Sequence, residues 1–449
     1  MSLKLRKSQT LMNRQTIDVM PVPDRAPAPG ASVDEWLRWL EAIHPTEIDL
    51  GLDRVLVVLR RLFPRRPAAR LITVAGTNGK GTTVAALEAV LIASGRTTGA
   101  YTSPHLFRYN ERVRIGGESV SDDALVAAFE AVEAARRGVS LTYFEFGTLA
   151  AFVVMAEAGV QDWLLEVGLG GRLDAVNVLD PDYAVITSVD IDHVGFLGDN
   201  REVIGFEKAG ILRPGITAVC ADPNPPSSVL QQAAAQNVEL KVTGRDYTLS
   251  REDDETVSLT VGAERLSLPA GPLPVQSLAA AAVLSCTLVP DVSREIVAKA
   301  LQEVRVPGRF EAIRSKPTVI ADVGHNPHAA RWLAGKVEGL KAASSGSVLA
   351  VYAALADKDV EGVFGAMSPL VDRWYFAGLD EPRGLTSGQL IQRLGAQCHP
   401  GGQDAYPSVP EALEAAIRGA GPDDVIVVFG SFFTVAAARA FVLGVPGGS

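Results

Sequence analysis

Cysteine is scarce in this 449-residue chain: Cys220, Cys286 and Cys398 lie far apart, and no two form a C-x-x-C pair. That spacing excludes a disulfide framework and a cysteine metal cage, and it predicts reduced thiols in a cytoplasmic protein. Long apolar runs are also missing. No stretch approaches the roughly 18 residues that a membrane span needs. Basic charge is in deficit, with 42 Lys and Arg against 52 Asp and Glu, a formal net charge of −10. The balance excludes a general nucleic-acid binder and obliges any anionic ligand to find a local cationic pocket. Lys4, Arg6, Lys7 and Arg14 are followed by no apolar segment, so the start does not read as a secretory signal. Pro21–Pro29 is rich in Pro and Ala, and residues 1–30 are expected to form a disordered tail.

What is present is concentrated in Leu71–Thr83, Leu-Ile-Thr-Val-Ala-Gly-Thr-Asn-Gly-Lys-Gly-Thr-Thr. A short β-branched run predicts a buried parallel strand, and Gly76, Gly79 and Gly81 free the backbone to curl before a helical pattern begins near Thr82. Strand, glycine-rich loop and helix N-terminus together make a phosphate cradle: N–H groups and the helix dipole face the anion, and Lys80 reaches the outer phosphates. The match to G-x-x-x-x-G-K-[ST] is imperfect, since Val74 replaces its first Gly and Gly81 separates Lys80 from Thr82. A bare strand–helix turn would not need a lysine and hydroxyls in register, so the segment predicts binding of a nucleoside triphosphate.

The chain is too long for one core and divides in its pattern. Strand candidates at Arg96–Tyr101, Asp162–Val167, Tyr183–Val189 and Thr217–Ala221 alternate with helical stretches near Thr83–Ser94, Ser121–Arg137, Phe144–Ala158 and Arg201–Gly210. That order predicts a mainly parallel sheet covered by helices. Tyr247–Leu268 predicts an antiparallel hairpin at the sheet edge, and helices near Ser277–Leu288 and Ser293–Val304 lead to Val306-Pro-Gly-Arg309. Beyond this junction the alternation restarts, with strands at Thr318–Val323, Val348–Ala353, Arg373–Ala377 and Val425–Phe429. The fold class is therefore α/β: a P-loop-type, mainly parallel ATP-binding domain over 31–304, a linker over 305–309, and a smaller Rossmann-like domain over 310–449.

Two strand ends carry chemistry. Leu164-Leu-Glu166 ends an apolar strand in an acid that, in a parallel sheet, faces the ligand crevice where Mg²⁺ would sit beside phosphates. Alone, Glu166 reads rather as a solvated strand-end carboxylate. Asp190-Ile-Asp-His193 follows another apolar strand, and His193 reads either as a metal ligand or as an ordinary loop histidine. Two such ends in one sheet with a phosphate cradle favour the metal reading for both.

With these stand Tyr101-Thr-Ser-Pro-His105, Tyr109-Asn-Glu-Arg-Val-Arg114, Leu141-Thr-Tyr-Phe-Glu145, Leu165-Glu-Val-Gly-Leu-Gly-Gly-Arg-Leu-Asp174, Glu207-Lys-Ala-Gly210, Pro307-Gly-Arg309 and Asp322-Val-Gly-His-Asn-Pro327. From about Trp36 to Phe433 the chain resembles the folylpolyglutamate synthase/dihydrofolate synthase branch of the Mur ligase superfamily. The resemblance implies ATP and two Mg²⁺ as cofactors, with Thr77, Asn78, Gly79, Lys80, Gly81 and Thr82 at the phosphates. Ser103, Glu166 and His193 match magnesium ligands. Lys208 matches a lysine that is carbamylated into a further metal ligand; without the resemblance it reads as a helix-surface cation. Lys80, His193 and Lys208 match the catalytic set. Arg309 and Asp322, with His325 nearby, match nucleotide contacts across the domain cleft. Gln276-Ser277 stands where the family often has Asn-Ala at the adenine, so either Gln276 takes that contact or it is lost. Ile48, Asp49, Leu50 and Gly51, then Thr142, Tyr143, Phe144 and Glu145, then Leu173, Asp174 and Ala175, match segments that hold a pterin. Tyr143 and Phe144 also read as core aromatics, and Thr142 as a helix cap. The first thirty residues have no counterpart, which makes Met12 or Met20 an alternative start.

The implied reaction is glutamate ligation, with dihydropteroate, tetrahydrofolates and L-glutamate as partners, in a monomer without nucleic acid or membrane. The Leu141–Glu145 segment resembles the bifunctional enzymes; a folylpolyglutamate synthase alone is the alternative. A different Mur ligase would lack the pterin segments. A non-catalytic P-loop switch would not need Glu166, His193 and Lys208 together.

Overall fold

A computed structural model describes residues 25–46, 48–343, 345–395 and 403–444; Cys398 and most of the expected N-terminal tail lie outside them. Its strands are β1 (Arg70–Ala75), β2 (Thr98–Tyr101), β3 (Val113–Ile115), β4 (Glu118–Ser119), β5 (Asp162–Glu166), β6 (Tyr183–Ile186), β7 (Thr217–Cys220) and β8 (Glu239–Val242). These form one sheet in the order β4-β3-β2-β5-β1-β6-β7-β8. It is parallel from β2 to β8 and antiparallel at the β3–β4 edge. The central strands are buried along nearly their whole length, as an apolar run between two helical layers requires.

β1 therefore lies between β5 and β6. Whatever follows β1 in the chain is flanked by whatever follows β5 and β6, all at the carboxyl ends of parallel strands, where ligands of open α/β sheets bind. The opposite end of the sheet is pinned by Asp162, fully buried at the start of β5. Its carboxylate accepts from Arg70 Nε at 2.6 Å and pairs with Arg96.

β9 (Tyr247–Arg251), β10 (Thr256–Val261) and β11 (Glu264–Pro269) correct one expectation. They form a separate three-stranded antiparallel sheet and not a hairpin on the edge of the large one. The alternating pattern specified antiparallel strands, but the apolar face packs on the helix Val275–Leu288. That helix is apolar almost all round and buried from Ser277 to Ser285, so it has a layer on each side. One side is the helix Lys80–Ala93, which begins at the phosphate loop.

The third sheet comprises β12 (Glu311–Ser315), β13 (Thr318–Asp322), β14 (Val348–Tyr352), β15 (Arg373–Ala377), β16 (Gln403–Tyr406) and β17 (Val425–Phe429), ordered β12-β13-β17-β14-β15-β16. Only β12 runs antiparallel to its neighbour. This is the second α/β body that the renewed alternation predicts. No helix among the described residues is long and apolar enough to cross a membrane.

Candidate active site

The loop after β1 is locked before any ligand is considered. Thr77 N donates to Ser188 O at 2.7 Å and Asn78 N to Ser188 Oγ at 3.0 Å, while Thr187 Oγ1 donates to Asn78 O at 2.7 Å. Thr77 Oγ1 is fixed at 3.0 Å by both the N–H and the C=O of Asp190. Gly79 takes a left-handed φ of +84°, and a Cβ there would lie 2.6 Å from Ser277 Oγ. The helix then starts at Lys80, two residues earlier than the sequence pattern suggests. Since Thr77 N and Asn78 N are committed, the donors left for an anion are the N–H groups at the N-terminus from Gly79 to Thr82. Lys80 Nζ lies over the loop, donating to Gly76 O at 3.0 Å and Thr77 O at 3.2 Å.

Glu166, at the end of β5, is buried and accepts one hydrogen bond, from Ser103 N at 3.2 Å. It approaches Gly81, where a Cβ would be 3.4 Å from Oε2. Burial raises its pKa against the pull of Lys80. Thr82 Oγ1, one residue further along the loop, is buried without a hydrogen-bond partner. His193 follows β6 on the other flank of the loop, in the left-handed conformation with φ of +50°. Desolvation lowers its pKa to about 4, with Asp192 opposing and Lys358, Lys80 and His325 assisting. A neutral imidazole, a desolvated carboxylate and an unsatisfied hydroxyl beside a phosphate loop are a donor set suited to a hard divalent cation. Among the described residues no three His, Cys, Asp or Glu side chains form a ready-made cage, so phosphate and hydroxyl oxygens would complete the coordination.

Lys208 is not the surface cation that its local pattern suggests. It is 3% exposed on the helix Arg201–Ala209, and its side chain has no hydrogen bond or ion pair among the described residues. Burial and then Lys80 push its pKa down to about 7.

The second body supplies cations and amides. Arg309 lies over the Phe432 ring at 5.5 Å and feels Asp322 and Glu166. Asp322, buried at the end of β13, accepts from Phe310 N at 2.9 Å and Gly324 N at 2.7 Å. His325 Nε2 is 3.6 Å from Asp192. Three residues absent from the sequence reading of the site, and Asn326 of the Asp322–Pro327 segment, also cross the cleft. Lys358 Nζ pairs with Asp192 at 3.1 Å and Arg331 with Asp190 at 3.0 Å. Asn326 and His328 both meet the Asn78 amide, at 3.0 and 2.8 Å. Gln276 is exposed in the first turn of its helix, and it is Ser277 whose hydroxyl reaches Gly79 O at 3.3 Å.

The three proposed pterin segments are linked through Arg54 and Phe144. Arg54 donates to Asp49 Oδ2 at 2.6 Å and to Glu145 Oε2 at 2.8 Å, joining Ile48–Gly51 to Thr142–Glu145. Thr142 caps its helix through a capping box with Glu145, yet Glu145 Oε1 stays buried and unpartnered. Phe144 packs on Gly168, where a Cβ would come within 2.6 Å of its ring; only glycine permits that approach. The same loop runs through Leu173 to Asp174, whose oxygens accept from Leu169 N at 2.8 Å and Val176 N at 3.0 Å and cap the turn at Ala175. Tyr143 stands edge-on to Tyr109 at 5.8 Å, with Arg112 over both rings.

A Gly-rich loop flanked by a buried strand-end carboxylate and a histidine, and faced by cations of a second α/β body, is the arrangement of an ATP-dependent ligase. Residues 74–258 match the Mur ligase middle domain and residues 308–432 the Mur ligase, glutamate ligase domain. The dihydrofolate synthase/folylpolyglutamate synthase of Escherichia coli is 43% identical over 92% of this chain and 96% of its own length. The structure of E. coli FolC in complex with DHPP and ADP superposes with a TM-score of 0.89 at 40% identity, covering 93% of this chain and 99% of that one. A bifunctional folylpolyglutamate synthase/dihydrofolate synthase with Mn, AMPPNP and L-glutamate bound gives 0.85 at 40% identity, over 94% and 100%. The chain belongs to the dihydrofolate synthase/folylpolyglutamate synthase family of Mur ligases.

Proposed function

We propose that this chain is an ATP-dependent amide ligase that adds L-glutamate to 7,8-dihydropteroate and to tetrahydrofolate derivatives. A carboxylate does not react with an amine until one oxygen becomes a leaving group. ATP supplies that change: its γ-phosphoryl passes to the substrate carboxylate, ADP departs, and the glutamate α-amine displaces phosphate from the acyl phosphate. Such a reaction asks the protein for positioning and neutralised charge, not for a nucleophilic side chain.

The observation that carries this reading is the phosphate loop held between Glu166 and His193. In it the N–H groups from Gly79 to Thr82 bind the phosphates and Lys80 turns its ammonium from the loop carbonyls to the γ-phosphate. Ser103, Glu166, His193 and carbamylated Lys208 would hold two Mg²⁺, whose charge would offset that of the phosphates. Arg309, Asp322 and His325 complete the nucleotide site from the second body, and Gln276 lies at its adenine end. Phe144 and Tyr143 bed the pterin, with Glu145 and Asp174 accepting from its N–H groups; the buried, unpartnered Glu145 Oε1 supports this. The division at 305–309 into two bodies, a monomeric state and a cytoplasmic setting without nucleic-acid partner belong to the same reading.

Purified protein given ATP, Mg²⁺, L-glutamate and dihydropteroate should release ADP only with all four present. Tetrahydrofolate in place of dihydropteroate should also support release. Turnover with tetrahydrofolate alone would reduce the activity to folylpolyglutamate synthesis, and no glutamate-dependent ADP with either would refute the ligase.

A further inference from the structure

Asn326 precedes the helix Pro327–Ala343 and is 2% exposed. Its Oδ1 accepts from Ala329 N at 2.9 Å, an N-cap, with proline at the first helical position. That role uses only the oxygen, and Asp or Ser fills it as well. The amide nitrogen is turned to the other body, where it donates to Asn78 Oδ1 at 3.0 Å and to Asp192 Oδ2 at 2.9 Å. Asn78 answers by donating Nδ2 to Asn326 Oδ1 at 3.0 Å and to His328 Nδ1 at 2.8 Å. Both hydrogens of the Asn78 amide are thereby engaged, and its oxygen is taken. A side chain so engaged leaves the phosphates to the backbone and Lys80.

We propose that Asn326 is a positioning residue for the ligase reaction: its carboxamide joins the phosphate loop, through Asn78, to the His193-bearing loop, through Asp192, so that both take their reactive geometry when the second body docks. Asp192 transmits the second half, since its Oδ1 accepts the N–H of His193 at 2.8 Å while Lys358 holds the same oxygen at 3.1 Å. The inference rests on the ligase reading above. It assigns Asn78 to the cleft seam and not to the nucleotide.

Asn326→Ser and Asn326→Asp test it, because each keeps a capping oxygen and loses the donor. Melting temperature and ADP affinity by calorimetry should change little, whereas kcat for glutamate-dependent ADP release should fall on the order of tenfold to a hundredfold. Asp should be the worse of the two, since it sets a carboxylate against Asp192. The variant Asn78→Ala should show the same split, and Asn78→Ala combined with Asn326→Ser should lose no more than the worse single change. Wild-type kcat in Asn326→Ser, or a double variant whose loss equals the product of the two singles, would overturn the proposal while leaving the ligase intact. Wild-type protein that releases no ADP would overturn the ligase reading and this proposal with it.

Discussion

Carbamylation of Lys208 can be worked through from its surroundings. The amine is buried with no hydrogen bond or ion pair among the described residues, and desolvation with Lys80 nearby brings its pKa to about 7. Carbon dioxide adds only to the neutral amine, and the product carries a negative charge where an ammonium stood. At pH 7 about half of the Lys208 amines are neutral, against about one in three thousand for an ordinary lysine, an enrichment on the order of a thousandfold. At pH 6 the neutral share falls to about a tenth and at pH 8 it rises to about nine-tenths. The change of sign also converts repulsion from Lys80 into attraction, while Asp192 and Asp174, which favour the ammonium, turn repulsive and leave the carbamate in need of a cation beside it.

Enzyme dialysed at pH 6 without carbon dioxide should therefore lose most of its ADP release. Bicarbonate at pH 8 should restore it, more slowly as the restoring pH is lowered. With ¹³C-bicarbonate, active enzyme should show one carbamate carbon that Lys208→Met lacks, and a short carboxylate such as propionate should partly rescue a Lys208→Ala variant. Full activity in carbon-dioxide-free buffer at pH 6, with no carbamate signal in the active sample, would refute the reasoning.

Glu166→Ala should cut ADP formation by at least about a thousandfold and leave the urea midpoint unchanged or raised, since burial disfavours this carboxylate and Ser103 N is its one hydrogen-bond partner among the described residues. Asp162→Ala should do the reverse: removing a fully buried acid that pairs Arg70 and Arg96 should cost about 3–5 kcal/mol in urea unfolding, with nucleotide affinity unchanged in what remains folded. Phe144→Ala should raise KM for dihydropteroate by about tenfold through lost aromatic contact and move KM for ATP by less than about twofold, because the ring packs on Gly168, in the segment that runs on to Asp174.

The parts legible in the sequence are those whose physics is local. β13, β15 and β17 are apolar runs between turn signals, and β5 and β6 each lead into a polar segment that a parallel sheet must present at its ligand edge. β4 is two exposed residues, and β8 and β12 carry Lys241, Glu311 and Arg314; edge strands like these have no apolar period to find. The alternation in β9–β11 specified the strands but not their partner, since pairing with the large sheet or with one another leaves the same local pattern. At the site, the glycine spacing makes the phosphate loop legible. Lys208 is legible only by resemblance, because Arg201, Glu202 and Glu207 precede it in the same helix and the burial comes from the packed body.

The cleft seam escapes sequence reading for a different reason. Asn78 and Asn326 are 248 positions apart, and neither lies in a pattern that anticipates the other. The seam's chemistry also suits its work. Around the phosphate loop the contacts across it are amides and ion pairs, Asn78 with Asn326, Asp192 with Lys358, and Asp190 with Arg331, while further out Leu106 packs on the second body's core and Arg439 lies over the Phe107 ring. Such polar contacts are each worth about 1 kcal/mol net when water replaces the partner. The bodies keep their own apolar cores, with the helix Pro327–Ala343 packing on β14 and the helix Lys80–Ala93 on β1. A seam of continuous apolar packing would hold the bodies together through product release. A polar one closes when ATP, metal and substrate add their own charges to the cleft, shields the acyl phosphate from water, and opens once those charges leave.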